Sequence, residues 1–226
     1  MSELRVAIVN PPALDGSIFM KELGRCGRRS AGGERWPQTG LAHLAAVADE
    51  AGAEVLLFDP MAEGVAFADA ARRVLAISPD LVLLHAATPT FVGDARFAAL
   101  LNEGGAPLVG LVGYHPTVLP RQSLDESVAD LLFVGEVEVP LAALIARMMA
   151  GGRGGELAEP PVAGLLWRGV EIEDALLEPQ LVDRLDSLPL PRREGLPVTR
   201  YRMPFFGREP FTTVIPTRGC PYQCTF

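Results

Sequence analysis

Short apolar segments alternate with amphipathic segments through the first 150 residues. Five apolar runs predict buried strands, at residues 5–10, 54–58, 81–85, 107–112 and 130–134. Segments with the period of a helix lie between or after them, at residues 41–52, 67–77, 94–102 and 140–150. Strands that alternate with helices predict a parallel sheet with helices on both faces. The pattern therefore predicts a Rossmann-like, flavodoxin-like α/β fold with a five-stranded parallel sheet.

The pattern changes after residue 150. Residues 151–161 are rich in Gly, Pro and Glu, which is typical of a domain boundary. Two short apolar runs flank Arg168-Gly169 and predict a β-hairpin over 162–173. Residues 211–215 predict the first strand of a further unit. The chain is thus expected to comprise a domain of residues 1–150, a β-hairpin linker of 151–195 and the start of another domain at 196–226.

Composition narrows the class of protein. The 226 residues are 49% hydrophobic, enough for one core and a smaller appendage, and the net charge is −8. No run of basic residues is present, so nucleic acid is not an expected partner. No apolar run reaches the length of about 18 residues that predicts a membrane span, and the first residues do not resemble a signal peptide. Three cysteines make no disulfide framework, so a cytoplasmic location is expected.

Two cysteines stand out at the end of the sequence. Cys220 and Cys224 lie four positions apart, in a turn that contains Gly219 and Pro221. A pair of thiolates on a tight loop after a predicted strand favours a metal or cluster site. A zinc half-site or two unrelated thiols are the alternatives, and Cys26 is assigned no role.

Small and polar residues follow three neighbouring predicted strands. They are Thr88, Pro89 and Thr90, then Gly113, Tyr114 and His115, then Gly135 and Glu136. Parallel strands end at one edge of a sheet, so these loops are expected to lie side by side. Hydroxyl and backbone N–H groups at such an edge suit a large cofactor with amides and a phosphate. Turn geometry alone also explains Gly113 and Gly135.

Several short motifs resemble, in order, those of cobalamin-binding (B12) radical S-adenosylmethionine (SAM) proteins. They are Asn10-Pro11-Pro12, Gly40-Leu41-Ala42-His43, Thr88-Pro89-Thr90, Gly113-Tyr114-His115-Pro116-Thr117, Gly135-Glu136-Val137-Glu138 and Arg218-Gly219-Cys220. The cysteine loop resembles the family motif Cys-x3-Cys-x2-Cys, whose third cysteine would follow Phe226. The resemblance implies a cobalamin-binding domain, a small β-linker, and the first strand and loop of a radical SAM barrel. Tyr114 and Val137 stand where the family often has glycine.

The resemblance also implies an activity and its cofactors. Cobalamin would contact the three loops above and Asn10, Pro11 and Pro12. Cys220 and Cys224 would bind a [4Fe-4S] cluster, with SAM as a further cofactor, in the full-length protein. The expected reaction is a methyl transfer or a related C–C or C–P bond-forming or cyclising step on a small molecule. Two thiolates cannot supply three cluster ligands, so this chain alone is not expected to cleave SAM. A stand-alone cobalamin-binding or flavodoxin-like module without catalysis is the alternative.

Overall fold

The computed structural model describes residues 3–22, 27–152, 154–205, 209–219 and 222. Within them, the strands are β1 Arg5–Val9, β2 Phe19–Met20, β3 Arg28–Arg29, β4 Glu54–Phe58, β5 Leu81–His85, β6 Val109–Val112, β7 Leu131–Phe133 and β8 Leu165–Trp167. The α-helices are α1 Thr39–Glu50, α2 Pro60–Glu63, α3 Phe67–Leu75, α4 Phe91–Glu103, α5 Tyr114–Val118, α6 Pro120–Glu126 and α7 Glu138–Met149. The predicted strands and helices of the first 150 residues are thus all present.

The main sheet has the strand order β4-β1-β5-β6-β7-β8. The first five of these strands are parallel, and β8 is antiparallel to β7. With the second long strand beside the first and the others following in sequence, the five parallel strands have the flavodoxin-like order. The prediction of a flavodoxin-like parallel sheet is confirmed, and β8 extends it at one edge.

Alternate residues of the strands pack into two separate apolar layers. Val6 and Ile8 of β1 join one layer with α1 and α7, whereas Ala7 and Val9 join the other with α3 and α4. Successive side chains of a strand point to opposite faces, so a sheet covered on both sides needs continuous apolar runs. The helix after β1 and the helix after β5 therefore lie on opposite faces. This leaves a crevice at the carboxyl ends of β1 and β5, where ligands bind in open sheets of this kind.

The linker region differs from its prediction. Leu165–Trp167 forms β8, but residues 170–173 form no strand and no hairpin closes at Arg168-Gly169. Instead, β8 pairs residue by residue with β7, from Leu131 opposite Trp167 to Phe133 opposite Leu165. The free edge of β7 offers unpaired backbone groups beside a buried apolar surface, so the first half of the predicted hairpin joins the main sheet.

The chain after β8 returns to the sheet. Leu196 and Tyr201 enter the same apolar layer as α1 and α7, and Arg35 forms a β-bridge with Arg202. The predicted strand at 211–215 is not formed, because no strand in the described part of the chain pairs with it. Among the described residues, no helix is long and apolar enough to cross a membrane.

Candidate functional site

Three loops meet at the carboxyl edge of the sheet, as predicted. A 3-10 turn, Thr88–Thr90, follows β5, and the Thr88 hydroxyl lies 3.3 Å from Nδ1 of His115, in the loop after β6. The Thr117 hydroxyl donates to the carbonyl oxygen of Gly113 at 2.8 Å and accepts from the backbone N–H of Gly135 at 3.0 Å. Hydrogen bonds thus connect the three loops, which we call the rim loops.

Close packing requires glycine in two rim loops. Gly113 has φ +118°, and a Cβ there would lie 2.5 Å from the carbonyl oxygen of Ala86. Gly135 has φ +75°, and its Cβ would lie 2.2 Å from Cβ of Pro179. L-residues with side chains rarely adopt such φ values, so both backbone conformation and space exclude a side chain. Turn geometry is therefore only part of the reason for these glycines.

His115 has a buried ring nitrogen without a partner. Its side chain is 6% exposed, and its ring stacks on Phe91 with the centroids 3.9 Å apart. Nδ1 faces the Thr88 hydroxyl, while no described residue forms a hydrogen bond with Nε2. Burial lowers the pKa of His115, so the ring is neutral near pH 7. A buried polar atom without a partner is costly unless a ligand or water satisfies it.

The loop after β1 lies deeper than the rim loops. Asn10, Pro11 and Pro12 are buried, and the amide of Asn10 donates to Asp59 at 2.7 Å. The hydroxyl of Tyr201 donates to the other oxygen of Asp59 at 2.9 Å. Burial raises the pKa of Asp59 to about 6. The side chain of Asn10 thus serves a buried hydrogen-bond network, and its assignment as a cofactor contact stays a prediction.

The crevice between β1 and β5 contains a residue that the sequence did not identify as functional. Lys21, the only lysine of the chain, is fully buried. Its ammonium donates to the carbonyl oxygen of His85 and to Asp94, both at 2.7 Å. Asp94 also accepts from the Thr90 hydroxyl at 2.7 Å. Lys21 therefore connects the loop after β1 to the first rim loop through a buried ion pair.

Two further groups complete the crevice. The carboxylate of Glu22 accepts from the backbone N–H groups of Thr39 and Gly40 at 2.8 and 2.7 Å, at the start of α1. Burial raises the pKa of Glu22 to about 7, because the carboxylate is less well solvated than in water. Nδ1 of His85 lies 3.0 Å from Oε1 of Gln38, and burial lowers the pKa of His85 to about 3. Residues 20–22 thus fill the crevice at which a ligand would be expected from topology alone.

The last rim loop is also in contact with the chain beyond the sheet. One oxygen of Glu136 accepts from the backbone N–H of Val182 at 2.6 Å, and the other lies 3.5 Å from Arg218. Tyr114 is 45% exposed at the edge. Cys220 and Cys224 lie outside the described residues. In the described part of the chain, no group of three or more His, Cys, Asp or Glu side chains is placed to hold a metal ion.

A family comparison agrees with this architecture, in which a five-stranded parallel sheet presents its loops at one edge. The sequence model of the B12 binding domain matches residues 27–145, more than half of the chain. The chain belongs to the B12 binding domain family.

Two relatives are named as methyltransferases. An uncharacterized methyltransferase of Pyrococcus horikoshii is 28% identical over 232 residues, which cover 100% of this chain and 45% of that protein. Cytidylyl-2-hydroxyethylphosphonate methyltransferase of Streptomyces wedmorensis is 22% identical over 268 residues, which cover 98% of this chain and 47% of that protein. The chain thus spans about half the length of the curated relatives it matches.

Solved structures share the fold. The radical SAM methyltransferase TsrM of Kitasatospora setae, with cobalamin and a [4Fe-4S] cluster bound, superposes with a TM-score of 0.55 at 16% identity. That match covers 74% of this chain and 27% of TsrM. The cobalamin-dependent SAM radical enzyme OxsB, with aqua-cobalamin and SAM bound, gives a TM-score of 0.52 at 18% identity over 73% of this chain and 20% of OxsB.

Proposed function

We propose that this chain is the cobalamin-binding portion of a cobalamin-dependent radical SAM methyltransferase. Membership of the B12 binding domain family carries the proposal, and the methyltransferase names of the two relatives support the reaction. The fold of TsrM and OxsB, both solved with cobalamin, agrees with it. Bound cobalamin would supply a cobalt that carries a methyl group, and the chain would supply the surface that binds and orients it.

We assign the cofactor contacts to the rim loops. Thr88, Gly113, His115 and Gly135 lie at one edge and are linked by hydrogen bonds. The two glycines allow their loops to pack closely on Ala86 and Pro179, and Nε2 of His115 has no hydrogen-bond partner among the described residues. Since Nδ1 faces the Thr88 hydroxyl, a neutral ring that accepts there carries its proton on Nε2 and can donate it. None of the three histidines stands in the Asp-x-His-x-x-Gly motif of cobalt-ligating proteins. His115 is thus assigned as a hydrogen-bonding group.

A substitution at His115 tests this assignment. We expect the 226-residue chain to bind hydroxocobalamin, as followed by the visible absorption of protein-bound cobalamin after gel filtration and by equilibrium titration. His115→Phe keeps an aromatic ring against Phe91 but removes both nitrogens. It should raise the Kd about tenfold, the effect of one hydrogen bond lost from a buried site.

The matched control is Asn102→Leu, near the end of α4, whose side-chain oxygen is also buried without a partner among the described residues but belongs to no rim loop. It should change the Kd less than about twofold, and circular dichroism should show that both variants fold. An equal loss of affinity in the two variants would contradict the assignment of His115. Absence of cobalamin binding by the unaltered chain would contradict the proposed function itself.

A further inference from the structure

The segment after residue 210 lies against the sheet domain. We call residues 211–219 the strap. Phe211 packs edge-on against Trp36 with the ring centroids 5.7 Å apart, and the hydroxyl of Thr213 contacts that of Thr39. The guanidinium of Arg193 donates to the carbonyl oxygen of Thr213 at 3.0 Å. The strap thus passes over the start of α1, on the side of the carboxyl edge of the sheet.

The strap ends at an ion-paired arginine. Arg218 donates to Glu138 at 2.5 Å and lies 3.5 Å from Glu136. These side chains are 24%, 6% and 20% exposed, in the order Arg218, Glu138 and Glu136. Burial works against the charge of Arg218, but hydrogen bonds and attraction to Glu138 and Glu136 outweigh it and raise the pKa of Arg218. A guanidinium shared by two poorly solvated carboxylates is held more firmly than a surface pair.

The charged groups of Arg218, Glu136 and Glu138 link the last rim loop to the end of the strap. Glu136 follows Gly135 in the last rim loop, and Glu138 begins α7. Arg218 lies two positions before Cys220 in the sequence, at the start of the cysteine loop. Glu136 also accepts from Val182, so its carboxylate is fixed from a second direction. A single guanidinium therefore connects the proposed cobalamin loop to the segment that leads into the proposed cluster ligands.

We propose that Arg218 is a positioning residue, which holds the end of the strap, two positions before Cys220, against the last rim loop through Glu136 and Glu138. This role rests on the proposed function, because it concerns the placement of a cluster relative to cobalamin. Cobalamin binding and the attachment of the strap both involve the last rim loop, so the two are thermodynamically linked. A cofactor that contacts Gly135 would further stabilise the position of Glu136, and the Glu136 carboxylate would then hold Arg218 more firmly. Cobalamin should therefore protect the strap, and the protection should require the arginine.

Limited proteolysis of the 226-residue chain by chymotrypsin, with the cleavage sites read by mass spectrometry, tests the role. Cleavage after Phe211, whose ring packs on Trp36, requires the strap to open, so a released strap is cut faster there. Arg218→Gln and Glu138→Gln should each raise this rate about tenfold, the effect of losing a charge-assisted hydrogen bond, and the double variant should add little. Arg218→Lys keeps the charge without the planar fork and should restore part of the protection. Arg121→Gln removes an exposed contact to Asp174 at 3.3 Å and should leave the strap unchanged.

The same measurement with hydroxocobalamin separates positioning from simple stability. Cobalamin should slow cleavage after Phe211 in the unaltered chain and in Arg121→Gln, but not in Arg218→Gln. If cobalamin binds but the rate of cleavage after Phe211 changes neither with the cofactor nor with Arg218→Gln, the role of Arg218 alone is overturned. Failure of the unaltered chain to bind cobalamin would overturn the proposed function and, with it, the positioning role.

Discussion

The ammonium group of Lys21 is buried away from solvent. It lies 2.7 Å from Asp94, and the two side chains are 0% and 1% exposed. Asp94 is further held by the Thr90 hydroxyl, in the first rim loop. Desolvation of two charges cancels much of their attraction, so such a pair is weak evidence for high stability. Replacing only one partner of the pair is strongly destabilising, because the other charge then stays buried without a counter-charge.

We therefore expect Lys21→Met to destabilise the fold strongly. The uncompensated Asp94 should cost about 3–5 kcal/mol in the free energy of unfolding, whereas Lys21→Met with Asp94→Leu should recover most of the loss. Urea denaturation followed by circular dichroism measures both. The comparison is Arg73→Met, which breaks an exposed pair with Glu63 at 2.9 Å and should cost less than about 1 kcal/mol. A Lys21→Met variant as stable as Arg73→Met would show that Asp94 is hydrated or protonated in the folded protein.

The residues of the crevice could not be read from the sequence. Lys21 lies in a polar segment without helical or strand periodicity, and its partner Asp94 is 73 positions away. Only the fold brings β5, α4 and the loop after β1 together. Arg218 is similar, because its carboxylates lie 80 and 82 positions before it. By contrast, the rim glycines and His115 were identifiable, since each lies within three positions of the end of an apolar run that predicts a buried strand.

Strands and helices of the first 150 residues follow local rules, so their pattern was predictable. Continuous apolar runs of four or five residues mark strands that are covered on both faces, and a helical period marks each crossover. The pairing of β8 was not predictable, because Leu165–Trp167 is equally suited to a local hairpin and to a distant sheet edge. The strand predicted at 211–215 is absent for a similar reason: the apolar pattern of this segment does not specify a pairing partner.

The turn between β6 and α5 gives a prediction about the rim. In Gly113→Ala the Cβ would meet the carbonyl oxygen of Ala86 at 2.5 Å in a backbone conformation of φ +118°. We expect a loss of about 2–4 kcal/mol in the free energy of unfolding, from overpacking together with strain. The matched variant is Gly105→Ala, since Gly105 has φ +89° but no atom within 4 Å of the added Cβ. It should lose only about 1–2 kcal/mol, the backbone cost alone. Equal losses in urea denaturation would mean that the rim loop shifts to accept a side chain.

The chain as a whole folds as a sheet whose last strand and part of its core come from beyond residue 150. Leu165 and Leu166 of β8 are 2% and 1% exposed, and Tyr201 is 2% exposed beneath Asp59. Gly195 passes so close to β4 that a Cβ would lie 2.5 Å from the carbonyl oxygen of Leu57. Segments on both sides of residue 150 therefore contribute to the packed core, and the domain boundary at residue 150 stays a prediction.

Shortened chains measure how much the sheet depends on these later residues. A chain of residues 1–150 exposes the edge of β7 and loses buried apolar side chains that are each worth about 1.5–3 kcal/mol, against a total stability of about 5–15 kcal/mol. We expect it to associate through the open edge and to unfold at a much lower urea concentration than the 226-residue chain. A chain of residues 1–205 keeps β8, Leu196 and Tyr201, and should be monomeric with a midpoint near that of the 226-residue chain. Size-exclusion chromatography and urea denaturation compare the three. If the chain of residues 1–150 is monomeric and as stable as the 226-residue chain, then β8, Leu196 and Tyr201 add nothing to the stability of the sheet. The predicted boundary at residue 150 would then be correct.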